Sequence, residues 1–170
     1  MSQQTTRRAL LSARALRRDE DAIRPPGWVE ARFDDLCSQC GDCVSVCPEG
    51  ILKAGADGFP KVDFDLGACT FCGRCAESCQ TGALSAEHVS LWPWRALIHD
   101  HCLSMTGISC RSCQDSCDQS AIRFKLQLGG RAQPEIDLDR CTGCGACASV
   151  CPVGAVSFEQ QSAVAPEALS

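Results

Sequence analysis

Sixteen cysteines in four groups of four constrain this chain more than any other feature. The groups are Cys37, Cys40, Cys43, Cys47; Cys69, Cys72, Cys75, Cys79; Cys102, Cys110, Cys113, Cys117; and Cys141, Cys144, Cys147, Cys151. Groups one, two and four share the spacing C-x2-C-x2-C-x3-C. Group three keeps the final C-x2-C-x3-C but opens with seven intervening residues. The spacers between groups hold 21, 22 and 23 residues, so the cysteines mark an internal repeat. Hydrophobic residues make up 45% of the 170, but that figure counts the cysteines; without them the ordinary apolar share is roughly 36%, below the average for a soluble domain. The cysteines are therefore the expected organisers of the fold.

The spacers repeat as well. Ile51-Leu52-Lys53 and Lys61-Val62-Asp63-Phe64 flank Gly55-Ala56-Asp57-Gly58, and Ala121-Ile122-Arg123-Phe124 and Glu135-Ile136-Asp137-Leu138 flank Gly129-Gly130. Short alternating runs around a glycine turn predict hairpins. Ala83-Leu84-Ser85 and Ala155-Val156-Ser157-Phe158 predict single strands after groups two and four. The divisions read from this are a basic N-terminal segment and Pro-Pro linker (1–30), a first module (31–90), a second module (91–159) and a polar tail (160–170).

Charge and hydropathy exclude several classes. Residues 1–24 hold six arginines against three acidic residues, +3, so the rest of the chain carries −8 of the net −5. That balance argues against general nucleic-acid binding. No apolar run approaches the ~18–20 residues of a membrane-spanning helix, since the stretch Leu91–Ile98 is broken by Pro93 and Arg95. Leu10, Leu11, Ala13 and Leu16 with the arginines outline a short basic amphipathic helix, ended by Pro25-Pro26-Gly27. It reads either as a solvated tail or as a docking arm for an acidic partner. Thr6-Arg7-Arg8-Ala9-Leu10-Leu11 looks like a twin-arginine export element, but charged residues follow it where such a signal needs an apolar segment. The expectation is a chain that is not exported.

Cysteines two residues apart on a tight loop wrap three corners of a cubane iron–sulfur core, and a fourth lies one helical turn beyond. Structural zinc, the main alternative, takes two C-x2-4-C pairs and would leave the middle cysteine of each triplet unused. Disulfides are a weaker alternative, because cysteines so close on one loop rarely meet the required geometry. The small loop residues Gly41, Gly73, Gly143, Gly145 and Ala146 suit backbone N–H groups turned towards sulfur. Pro48 and Pro152 complete a Cys-Pro ending in groups one and four, and Gln80 and Asp118 replace it in groups two and three.

This pattern resembles bacterial-type ferredoxins with paired [4Fe–4S] clusters. The resemblance implies an α+β fold: tandem bacterial-type two-cluster ferredoxin modules with short hairpins and short helices and little regular structure. It also implies crossed ligation, the fourth cysteine of each run serving the other cluster of its pair. Four clusters follow. Cluster one takes Cys37, Cys40, Cys43 and Cys79; cluster two, Cys69, Cys72, Cys75 and Cys47. Cluster three takes Cys102, Cys110, Cys113 and Cys151; cluster four, Cys141, Cys144, Cys147 and Cys117. Cys102 stands apart because of the excursion Leu103–Ser109, and His101 beside it is the one substitute ligand to weigh. His88, His99 and His101 form no nucleophile–base constellation, so no catalytic residue is expected. Trp92 and Trp94 are expected to pack between the modules or to anchor a partner.

Further motifs narrow the resemblance. Arg24-Pro25-Pro26-Gly27-Trp28, Gly58-Phe59-Pro60-Lys61-Val62-Asp63-Phe64, Cys69-Thr70-Phe71-Cys72-Gly73-Arg74-Cys75, Cys110-Arg111-Ser112-Cys113-Gln114-Asp115-Ser116-Cys117 and Cys141-Thr142-Gly143-Cys144-Gly145-Ala146-Cys147 are together similar to the NapF family. These are the ferredoxin-type proteins of the periplasmic nitrate reductase system. The resemblance implies a cytoplasmic electron carrier rather than an enzyme. It would assist maturation of the molybdenum-containing catalytic subunit before that subunit's export. The alternative is an electron-transfer subunit of another oxidoreductase complex. Either way, an acidic, cluster-loaded body predicts a redox partner with a basic docking surface.

Overall fold

The computed structural model describes residues 19, 22–29 and 32–161. The export-like element, the part of the basic helix within residues 1–18, and the tail from 162 lie outside the described residues; Ala22, Ile23 and Arg24, just before the prolines, are not helical. No described helix is long and apolar enough to cross a membrane.

Among the described residues, regular structure is short. The α-helices are single turns: α1 (Phe33–Leu36), α2 (Asp42–Ser45), α3 (Arg74–Glu77), α4 (Ser112–Asp115) and α5 (Ala146–Ser149). A 3-10 segment spans Ala86–Leu91. The strands are β1 (Leu52–Ala54), β2 (Pro60–Val62), β3 (Trp94–Ile98), β4 (Ile122–Leu126), β5 (Ala132–Ile136) and β6 (Val156–Gln160). β1 pairs antiparallel with β2, β4 with β5, and β3 with β6.

Both expected hairpins are present, with one shift. The second strand of the later hairpin begins at Ala132 rather than Glu135, because the ladder runs up to the glycine turn and pairs Leu126 with Ala132. It ends where the Asp137 carboxylate accepts the N–H groups of Asp139 and Arg140 (3.2 and 3.3 Å), a local bond that competes with the ladder. Of the two strands read as single ones, the later forms β6, while 83–85 forms no strand and makes one isolated bridge; both contacts reach upstream. Leu84 bridges Trp28, and β6 pairs along its whole length with β3, Trp94 opposite Gln160 and Ile98 opposite Val156.

The chain divides into two units. One holds the described chain up to Asp63 together with Gly73–Val89; the other holds Phe64–Cys72 together with the chain from Ser90. In the first, Phe33, Ile51 and Pro25 are the largest fully buried side chains. Pro25, Pro26 and Gly27 are themselves buried. Gly27 has φ +92°, and a Cβ there would stand 2.6 Å from the Ser85 carbonyl oxygen. In the second, Ala96, Ile122 and Cys147 form a buried cluster, against which Cys113, Cys117, Cys141 and Phe158 pack. Cysteines thus occupy positions that aliphatic side chains fill in an ordinary core.

Candidate metal centres

The third cysteine of every group lies inside a one-turn helix: Cys43 in α2, Cys75 in α3, Cys113 in α4 and Cys147 in α5. Gly41, Gly73 and Gly145, with φ of +85°, +76° and +90°, lead into three of those helices. In group three Arg111 occupies that place at φ −138°, so this loop is built differently from the others. The fourth cysteine follows each helix, its N–H donating to the carbonyl three residues back, as from Cys151 to Ala148 (3.0 Å). Each fourth sulfur is thereby carried one turn away from its own triplet.

Three of these fourth sulfurs accept a backbone N–H from the segment four or five residues on. Leu84 donates to Cys79 Sγ (3.4 Å), Ala121 to Cys117 Sγ (3.4 Å) and Ala155 to Cys151 Sγ (3.2 Å). Phe71 N–H donates to Cys69 Sγ (3.4 Å). Such bonds stabilise charge on sulfur and tune a bound cluster. The spacing of cysteines carries no sign of them.

The turn after each fourth cysteine has one left-handed residue three positions on: Gly50, Gly82 and Gly154, but Ser120 in group three (φ +48°). A residue with a Cβ pays roughly 1–2 kcal/mol there, partly offset because glycine is freer in the unfolded chain. Ser120→Gly is therefore expected to raise thermal stability by up to about 1 kcal/mol, read as a higher Tm of the metal-loaded protein.

In the second unit the structure brings cysteines together across groups. One recess is lined by Cys141, Cys144 and Cys147 together with Cys117. Another is lined by Cys102, Cys110 and Cys113 together with Cys151. The remaining lining is mostly apolar, including Ile122 and Phe158 in one and Phe124 and Val156 in the other. Cys102 thus faces its recess despite the long excursion after it. His101, beside it, is exposed and stacks on His99, whose Nε2 lies 2.7 Å from Ser157 Oγ. Among the described residues, no group of three His, Cys, Asp or Glu side chains is close enough to share a single metal ion. The sulfurs outline a wider space.

In the first unit, thiols of the first group feel sulfurs of both groups. Burial raises the Cys37 thiol, and Cys79, from the second group, adds to the rise along with Cys40, while the Gln39 N–H and Arg24 oppose it. Burial, then Cys37, Cys75 and Cys40, pushes Cys43 up to about 11. In the second unit, burial with Cys102 and Cys110 pushes Cys113 up to about 11. Burial with Cys144, Cys141 and Cys113 takes Cys147 to about 12. Cys79 goes the other way: its burial is outweighed by hydrogen bonds from the Leu84 N–H and from Thr81, which lower it. A cationic core held by these sulfurs would displace their protons. Cys47 is half-buried after α2; Cys69 is half-buried and Cys72 exposed on the 64–72 segment.

In the second unit the donor set fits an iron–sulfur core: four sulfurs around each apolar recess, backbone N–H groups directed at sulfur, and no room for larger residues in the fourth loop. A Cβ on Gly143 or Gly145 would collide with the Trp94 carbonyl or the Phe64 ring. Trp92 Nε1 and Trp94 Nε1 are buried donors without a protein acceptor, a state that normally calls for a further partner.

One polar feature escaped the sequence reading. Arg24 is buried with Asp57, its Nη2 2.7 Å from Oδ2, their side chains 7% and 3% exposed. The guanidinium also lies over the rings of Phe33 and Phe59 (5.6 and 5.4 Å). Gln39, between Cys37 and Cys40, donates to the Asp57 carbonyl (3.4 Å). The pair thus joins the N-terminal segment, the β1–β2 turn and the first cysteine loop. Burial alone would raise the Asp57 carboxyl, but the bonds from Arg24 and the Phe59 N–H, and the Arg24 charge, hold it below its ordinary value. Asp57→Ala strands a buried cation and is expected to cost about 3–5 kcal/mol in denaturant unfolding. Because the folded value is depressed, the contribution is complete above the unfolded carboxyl value and fades as pH falls through the folded one. Asp57→Asn removes that acid-dependent increment.

Comparison with known proteins agrees with this construction. Residues 36–83 and 108–155 each match the family model of a 4Fe-4S dicluster domain. The ferredoxin-type protein NapF of Escherichia coli (strain K12) is 40% identical over 156 residues, 91% of this chain and 94% of that protein. NapF of Haemophilus influenzae is 49% identical over 137 residues, 80% of this chain and 78% of that one. A subunit of an ion-translocating oxidoreductase complex of Methanosarcina acetivorans is 38% identical over 132 residues, 72% of this chain but 46% of its own. With two dicluster domains in tandem and this likeness along nearly its whole length, the chain belongs to the NapF family of ferredoxin-type iron–sulfur proteins.

Proposed function

We propose that the chain holds four [4Fe–4S] clusters in two α+β modules and carries electrons in the cytoplasmic maturation of the molybdenum-containing catalytic subunit of a periplasmic nitrate reductase. The observation that carries the reading is the likeness to NapF proteins across cysteines and spacers alike. The ligands are the sixteen cysteines in crossed sets: Cys37, Cys40, Cys43 with Cys79; Cys69, Cys72, Cys75 with Cys47; Cys102, Cys110, Cys113 with Cys151; and Cys141, Cys144, Cys147 with Cys117. When bound, such clusters supply one-electron redox chemistry. The chain's own part is to hold them, shield them from water and place N–H groups against their sulfurs. No residue takes a catalytic role.

The net charge of −5 counts cysteine as neutral. Each oxidised cluster with four thiolates adds about −2, so the loaded body steers towards a basic partner surface, with association weakening as salt rises. The test is capture of the untranslocated catalytic subunit from cytosol by the tagged, cluster-loaded chain. Recovery of the subunit supports the maturation role. No recovery, together with steady-state reduction of the chain by a quinol or dehydrogenase, favours the second reading, a turnover subunit of another oxidoreductase. The Methanosarcina acetivorans similarity favours that reading.

A further inference from the structure

The order of the groups along the chain suggests a relay running one, two, three, four. The contacts within the second unit suggest otherwise. The segment Phe64–Cys72, which carries the first two cysteines of group two, packs in this unit, and it packs on group four. Cys69 N–H donates to the Cys144 carbonyl at 2.7 Å. The two sulfurs are therefore joined by their own side chains, two short backbone links and one hydrogen bond.

Aromatic packing holds this junction in place. Phe71, between Cys69 and Cys72, meets the Trp92 ring edge-on at 5.4 Å. Trp92 packs on Phe64 (6.1 Å), and Phe64 on Phe158 of β6 (4.4 Å). Phe64 and Trp92 are buried, and the Phe64 ring occupies the space a Cβ on Gly145 would need. Gly145 lies between Cys144 and Cys147, so this packing presses directly on the fourth loop. Groups three and four meet at a separate place, where Ser116 Oγ of the third donates to the Ala146 carbonyl of the fourth (3.3 Å).

We infer that electrons pass among the four centres in the order one, two, four, three, with the Cys69–Cys144 contact as the link between the first pair and the last. The inference rests on the ligand sets proposed above. Across this link, a centre held through Cys69 would be oxidised by one electron as a centre held through Cys144 is reduced by one. No proton moves and no covalent bond changes. The irregular third centre is then a terminus of the relay, not a step within it.

Electron paramagnetic resonance of the loaded chain, fully reduced by photoreduced deazaflavin as the one-electron donor, tests the order. Cys141→Ala/Cys144→Ala, which removes the fourth centre, is expected to leave the third as a magnetically isolated signal. Cys102→Ala/Cys110→Ala, which removes the third, is expected to leave no isolated signal. The reverse pair of results overturns the inference and restores chain order. Iron analysis separates the two layers: each double variant loses one cluster's iron if the ligand sets are right, and any other loss counts against those sets. Trp92→Ala needs no ligand assignment and leaves every cysteine and every cysteine loop unchanged. It removes the ring that holds Phe71 and Phe64, is expected to weaken the coupling between the two pairs without loss of iron, and a spectrum identical to the parent's overturns the junction.

Discussion

Stripping iron from the loaded chain with a chelator under reducing conditions is expected to unfold both units. Little else holds them. The described α-helices are one turn each, far below the length at which a helix is stable alone. The sheets have two strands each, and an isolated two-stranded hairpin is marginal in water. In the second unit the buried cluster includes Cys147, with Cys113, Cys117 and Cys141 packed on it. Without the core those sulfurs surround a recess instead of filling one, and the cavity costs stability. Metal-binding energy is folding energy in such a chain, and a net stability of about 5–15 kcal/mol leaves no margin for its loss. Loss of the cooperative transition and of compactness, followed by circular dichroism and light scattering, is the expected result. An iron-free, reduced chain that keeps its secondary structure and radius would contradict it.

The second large effect concerns which centre a fourth cysteine serves. Cys151→Ala is expected to remove the centre of the third triplet, since Cys151 lines the recess of Cys102, Cys110 and Cys113. Cys117→Ala should remove that of the fourth, since Cys117 lines the recess of Cys141, Cys144 and Cys147. Double variants make this decisive by non-additivity. Cys151→Ala with Cys110→Ala should lose one cluster's iron, no more than either single change. Cys151→Ala with Cys141→Ala should lose two. Ligation within each run predicts the opposite pattern, so iron content alone distinguishes the two.

Much of the site was legible because it is local. A cysteine every third residue, a glycine where the loop must turn left-handed and a fourth cysteine one turn on specify a loop whatever lies around it. The hairpins were legible for the same reason, being alternating runs joined by a short glycine turn. The partners of Leu84 and of β6 were not, because Trp28 and β3 lie far upstream and pairing across such a distance leaves no periodic trace. Arg24 read as one more arginine in a basic segment. Only the fold shows it buried against Asp57, a pairing that depends on the β1–β2 turn arriving beside it. Trp94 read as part of a connector, yet it belongs to β3, its carbonyl set against Gly143.

By itself the sequence determined that sixteen cysteines recur in four groups and that two dicluster domains follow one another. Those are properties of spacing and composition, and they survive any arrangement of the rest. The tertiary structure alone decided which sulfurs share a recess in the second unit. It also decided that the Phe64–Cys72 segment lies on the fourth group and that a buried ion pair secures the first cysteine loop. Each of these depends on distant segments closing on one another. Chain entropy opposes that closure, and only packing and hydrogen bonds made in the complete fold offset it.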